Sequence, residues 1–306
     1  MIEFLLKRFL WMLLTLWVVF TISFFLMRAV PGGPLSQERA LEPHIEEILK
    51  ERYHLDETVW QQYTRELTNV FLRFDLGHSF KMGDFSVNEV IVQGLPVSAS
   101  LGILAMLFAL VLGFLAGIVS AVRRQTFLDF SLMSIATIGI ALPNFVVAGI
   151  CIILFVFLIP IFPAAGWGRP IDVVLPAFCL GAPYAAYIAR LVRTGMLDVL
   201  GQDYIRTAHA KGLSTRRVIL RHAMKGAMLP VASFLGPAIA GILTGSLVIE
   251  KIFAVPGLGI HFVQAATQRD YTLAMGLVLV YTVLLYVMNT IVDISYTYFD
   301  PRVKLE

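Results

Sequence analysis

The sequence predicts an all-α membrane protein with six transmembrane helices, a small helical segment on one side and a basic loop on the other. Three observations carry this. Of 306 residues, 58% are hydrophobic and only 15% charged, whereas about a quarter of a soluble chain is charged. Mean hydropathy is +0.78, and six apolar stretches without charges have the length of membrane spans. The remaining charges fall between those stretches and sort by sign.

The spans follow in order, since a helix needs about 20 mostly apolar residues to cross the hydrocarbon core. Phe9–Met27 is the first. Its basic start, Lys7-Arg8, resembles a signal peptide, but the run exceeds the usual ~7–15-residue apolar region. It ends in RAVPGGP (Arg28–Pro34) instead of a small-residue cleavage site, so it is expected to be retained as a helix. Between it and the next span, Pro43 precedes Ile45, Ile48, Leu49 and Tyr53 at helical spacing. Asp56 is an expected N-cap for a second helix carrying Trp60, Tyr63, Leu67, Val70 and Phe71 on one face. Val90–Val122 and Phe130–Gly168 each exceed one span but fall short of two, and Pro160 and Pro163 mark where the latter ends. Val173–Ala189 is the shortest and the one that re-entrance would remove from the count. Gly226–Ile249 and Tyr271–Val292 complete six.

Orientation follows from charge. Six spans place alternate connections on opposite sides, and one side receives Lys7-Arg8, Arg123-Arg124, the basic stretch Arg206–Lys225 and Arg302/Lys304. The other receives residues 31–89, with eleven acids against six bases. Short basic loops stay in the cytoplasm, so both termini are expected there. The expected division is 1–30 for the N-terminus and first span, 31–95 for an external helical segment, and 96–306 for a core of five spans. A cytoplasmic loop at about 194–229 interrupts that core.

Motifs for chemistry in this chain are missing. There is no GxxxxGK[ST] phosphate loop and not one Gly-Lys dipeptide, and no HExxH or GxSxG occurs. Cys151 and Cys179 lie inside apolar runs without metal spacing and read as small buried hydrophobes. The net charge of +3 gives no case for nucleic acid. Arg28, Glu250 and Asp293 lie near span ends, where snorkelling accounts for them. Asn289 and Asp293, one turn apart, are the best pair for the alternative of an ion-coupled carrier or channel. Pro237, Gly241, Thr244, Gly245 and Ser246 run down the fifth span. Close helix packing explains such small residues; a pathway for a polar solute, joined by Asn289, is the other reading.

The basic loop has its own pattern. Residues 202–211 suit a short helix that Gly212 breaks, with Asp203 at the favourable end of the dipole. Ser214 can cap a second helix on which Arg217, Arg221 and Lys225 recur at i, i+4 and i+8, opposite Ile219, His222, Ala223 and Gly226. Ala208 and Ala210 keep the first helix thin enough for another surface to approach. Contact with anionic lipid is one use for such charge, but a helix–Gly–helix built with small residues fits a docking element better.

The sequence around Gly212 resembles the cytoplasmic loop of ATP-binding-cassette importer permeases, E-A-A-x3-G-x9-I-x-L-P. Here Arg206-Thr207-Ala208 precede Gly212 by three residues, and His222–Lys225 stand at the I-x-L-P position. YIRTAHAKGLSTRRVILRHAMKGAMLP is similar to the variant in dipeptide/oligopeptide/nickel-type permeases. RAVPGGP, YHLDETVWQQY, RFDLGHSF, LPVSASLGILA, ALPNF, GSLVIEKIFAVPGLG and DPRVK extend the resemblance along most of the chain, and the length and 31–95 segment are most similar to the B-type subunits. It implies residence in a bacterial-type inner membrane, a homologous second permease, two cytoplasmic ATPases that bind ATP and Mg, and an external solute-binding protein. This chain would hold no cofactor and would not be an enzyme. The resemblance assigns ATPase coupling to Asp203, Tyr204, Arg206, Thr207, Ala208, Lys211 and Gly212, with Arg217, Arg221 and Lys225 supporting the loop.

Overall fold

The computed structural model describes residues 2–30, 44, 47–48, 51, 53–83 and 85–299. Within them the chain is helical, and its one β feature is an isolated bridge between His78 and Ser86. The helices are α1 Ile2–Ala29, α2 Val59–Thr68, α3 Val87–Val122, α4 Phe127–Ala141, α5 Asn144–Ile152, α6 Pro170–Leu200, α7 Asp203–Ala210, α8 Thr215–Val218, α9 Met224–Ile252, α10 Leu258–Gln268 and α11 Tyr271–Phe299. Segments wound as π-helix extend α2 (Asn69–Arg73) and α5 (Ile153–Leu158) and join α8 to α9 (Ile219–Ala223).

Four helices are long and apolar enough to cross a membrane: α1, α3, α6 and α11 over Tyr271–Ile291. Two bent pairs bring the number to six when each is taken as one span, as the sequence predicts. One pair is Pro230–Ile242 with Ser246–Ile252, bent by 49°. The other is sharply bent: within Phe130–Gly168, α4 and the Asn144–Leu158 helix meet at 112°. Pro143 is the cause: it has no N–H to continue the helix and holds Leu142 in an extended conformation (φ −84°, ψ 130°). The short fourth run, by contrast, belongs to a 31-residue helix that absorbs Pro176 and Pro183.

The chain forms two compact units, residues 1–97 with 256–286 and residues 98–255 with 287–306. In the first, Phe20, Phe24 and Tyr63 pack with Met275 and Leu279, and Leu67, Val70 and Phe71 of the expected face pack against them. Trp60 does not: it is 66% exposed and stacks outside Tyr63, ring centroids 5.3 Å apart. Thr58, not Asp56, caps α2. Its hydroxyl accepts from Gln61 N while the Gln61 side chain accepts from Thr58 N, a reciprocal capping box that Asp56 stands too far back to make. Pro43, Ile45 and Leu49 of the expected preceding helix lie outside the described residues, as do Arg302 and Lys304. Arg28, at the end of α1, has partners: its guanidinium donates to Gln62 and Glu66 and lies 3.5 Å from the Phe24 ring centroid. Burial pushes the Glu66 carboxyl above its usual range, and the Arg28 charge draws it back. Buried Asp270 precedes α11 and accepts from Ser79 Oγ and the N–H groups of Phe80, Lys81 and Leu273.

In the second unit α3 packs on α6 through small residues. A Cβ on Gly113 would meet Ile188 at 2.7 Å, and one on Gly117 would meet the Ala189 carbonyl at 2.6 Å. Buried Ala109, Ile188, Val192, Met196 and Val231 fill the core around this contact. Glu250 also departs from expectation: it is fully buried instead of reaching outward. Beyond the end of α9, Val255 N–H bonds the Glu250 carbonyl at 2.9 Å, and Phe253 and Val255 are themselves buried.

Candidate functional site

The 201–214 loop is built by one short helix and its stop signal. Asp203 opens α7 and lies at the positive end of the helix dipole. At the other end Gly212 has φ +78°, a conformation other residues adopt only with strain. Gly212 N–H bonds the His209 carbonyl (2.9 Å) and Leu213 N–H the Ala208 carbonyl (3.2 Å). This is a Schellman cap, and it satisfies the Ala208 and His209 carbonyls from within the loop.

Burial splits α7 into two faces. Ile205 and Ala208 point inward and pack with Val218, alongside Val199, Leu200 and Leu213. Asp203, Tyr204, Arg206, Thr207, Lys211 and Gly212 are exposed. Of the predicted coupling set, Ala208 therefore seats the helix, and Ala210 is the small residue on the open face. Arg206 and Asp203 form a fully solvated ion pair at 3.4 Å, which leaves both available to another surface. Ser214 stands at the N-cap of α8 but its side chain makes no capping bond. Arg217 and Arg221 are exposed as expected, while His222 is half-buried and Ala223 buried. The side chain of Lys225 lies outside the described residues.

The pathway candidates differ in exposure. Pro237 and Asn289 are exposed on α9 and α11, Ser246 is buried, and Gly241 packs against the Tyr184 hydroxyl. The side chains of Thr244 and Gly245 lie outside the described residues. An apolar cavity of about 330 Å³ lies elsewhere, between α3, α4, α5 and α6, lined among others by Leu112, Ile135, Cys151 and Ala186.

A polar joint beneath the loop is absent from the sequence reading. Asp129, in the first turn of α4, is 4% exposed. Arg193 on α6 donates to both its carboxylate oxygens, Nε to Oδ1 at 2.8 Å and Nη2 to Oδ2 at 2.9 Å. Ser120 Oγ at the end of α3 and Gln125 N–H (2.9 Å) complete the shell. The available signal was an acid and a base, each just outside the edge of an apolar run and 64 residues apart.

Residues 109–305 match the family of binding-protein-dependent transport system inner membrane components, and residues 1–102 match the N-terminal part of such components. The chain is 44% identical over 305 residues to the dipeptide transport system permease protein DppB of Bacillus subtilis (strain 168), covering 100% of this chain and 99% of that protein. The chain belongs to this permease family. It is also 43% identical over 306 residues to the oligopeptide transport system permease protein OppB of Haemophilus influenzae, covering 99% and 100%. The resemblance to peptide-type permeases thus holds along the whole length. Among solved structures, an inward-facing MetNI methionine ABC transporter chain superposes with a TM-score of 0.59 at 16% identity, over 69% of this permease and 96% of that chain. The fold is shared at that distance.

Proposed function

We propose that this permease is one membrane subunit of an ATP-binding-cassette importer for peptides and forms half of its pathway. Identity of 42–44% along the full length to dipeptide and oligopeptide permeases is the observation that carries this reading. In it the chain does no chemistry of its own. ATP and Mg bind two partner ATPases, a homologous permease completes the pathway, and a solute-binding protein delivers peptide. Both termini and the 194–229 loop lie in the cytoplasm and the 31–95 segment outside, following the charge asymmetry. The open face of α7, with Tyr204, Arg206, Thr207 and Lys211, docks into an ATPase groove; Gly212 fixes where the helix stops. Arg217, Arg221 and Lys225 support the loop. Pro237, Gly241, Thr244, Gly245 and Ser246 on α9, with Asn289 on α11, are the pathway candidates. Residues 1–30, 31–95 and 96–306 are the working division, with α3 beginning inside the second segment.

The test is uptake of tritiated trialanine into proteoliposomes holding this chain with two ATPase chains, a second permease and a solute-binding protein from the same organism. Uptake that requires both ATP and the ATPase chains supports the reading. Uptake that persists without them means an ion-coupled carrier; co-purification without any flux means a scaffold.

A further inference from the structure

The coupling loop rests on a lever with a fixed grip at its far end. The buried cluster of Ile205, Ala208 and Val218 seats α7 against Val199 and Leu200, the last residues of α6. From Leu200 back to Arg193 the chain is unbroken helix, a rod of about 10 Å at 1.5 Å per residue. Arg193 there grips Asp129 in the first turn of α4 through two parallel hydrogen bonds, the geometry that fixes direction as well as distance. The same carboxylate holds Ser120 on α3 and the backbone of Gln125. Beyond α4 the helix is cut at Leu142–Pro143 and the chain turns through 112°. One carboxylate thus joins the rod under α7 to a helix whose far end is already broken.

We propose that the Arg193–Asp129 clamp is a positioning pair that transmits displacement of α7 to α4, the first arm of the bent span. This rests on α7 being the ATPase-docking helix. Stability alone does not call for such a pair, because apolar residues of similar volume replace buried ion pairs with little loss or with gain. Those replacements lack the directional grip, and that difference makes the role separable from folding.

The experiment compares wild type, D129N, the apolar pair D129L/R193M and the exchanged pair D129R/R193D in the assembled complex. Three quantities are read: ATPase chain recovered with the permease, ATP hydrolysed, and tritiated trialanine taken up per ATP. D129L/R193M is expected to retain the ATPase and its hydrolysis while uptake per ATP falls about tenfold, a coupling change within the usual allosteric range. D129N is expected to fall likewise, and D129R/R193D to recover part of the ratio. An unchanged ratio in D129L/R193M overturns the clamp and leaves the docking assignment standing. A fall in all three quantities in proportion to assembled complex also overturns it, since that is a purely structural role. Failure of the wild type to retain any ATPase overturns the docking assignment and the clamp with it.

Discussion

Gly117 on α3 stands so close to Val192 on α6 that an added Cβ would lie 2.7 Å from the valine Cβ. The Ala189 carbonyl, at 2.6 Å from the same point, is backbone and has no rotamer by which to yield. Membrane helices approach this closely where dispersion contacts replace the hydrophobic effect as the force between them. Gly117→Ala is expected to destabilise the second unit by about 1–3 kcal/mol, the usual range for overpacking. Gly117→Leu should abolish the monodisperse peak of a fluorescent fusion in size-exclusion chromatography. Val192→Ala should rescue Gly117→Ala only in part, because the carbonyl clash persists.

Two substitutions at Gly212 should separate. No atom lies within 4 Å of a Cβ built there, so alanine meets only the strain of φ +78°, about 1–2 kcal/mol. Proline requires φ near −65° and removes the N–H that bonds the His209 carbonyl. Recovery of ATPase chains with the permease should survive Gly212→Ala and fail with Gly212→Pro. Recovery with both would remove α7 from the docking surface.

Asp270 holds residues 79–81 by three donated hydrogen bonds. Asp270→Ala strands the Ser79 hydroxyl and the Phe80 N–H, at about 1–3 kcal/mol for each left unsatisfied, while Lys81 N–H keeps its second acceptor, Ser79 Oγ. Trypsin should then cut after Lys81 several times faster than in wild type at equal folded fraction. Asp270→Asn, which keeps one acceptor oxygen, should fall between the two.

His261 on α10 carries a pH signature. Burial lowers its pKa below the ordinary imidazole value, and its Nδ1 has no hydrogen-bond partner among the described residues. The unfolded chain therefore takes up this proton first as pH falls. Stability associated with neutral His261 is present above the unfolded value, near 6.5, and is lost as pH falls through the lower folded value. Melting temperature in detergent should drop between pH 7.5 and 5, and His261→Gln should reduce that drop.

Hydropathy made the spans legible because a bilayer demands long apolar runs whatever the packing. The stop at Gly212 was legible too, since few residues other than glycine end a helix in this way. The break at Pro143 was not: straight spans in this chain also carry prolines, and Pro176 and Pro183 leave α6 whole. Whether a proline cuts or is absorbed depends on which neighbours satisfy the freed backbone groups, and composition does not record them. The Arg193–Asp129 contact was hidden for a related reason. Each residue alone reads as an ordinary charge at a span edge, and only the packing of α4 on α6 makes them a pair. Glu250 misled in the same way: as a charge near a span end it reads as exposed, and only the folded chain shows it fully buried.

The Schellman cap on α7 has a corollary. The helix is held by its own backbone at one end and by Ile205 and Ala208 underneath, while the exposed side chains of Arg206 and Thr207 add only local bonds to Asp203 within the same helix. With α7 as the proposed docking helix, changes at Tyr204, Arg206, Thr207 and Lys211 would retune the fit to a partner motor at the surface alone, without renegotiating the fold.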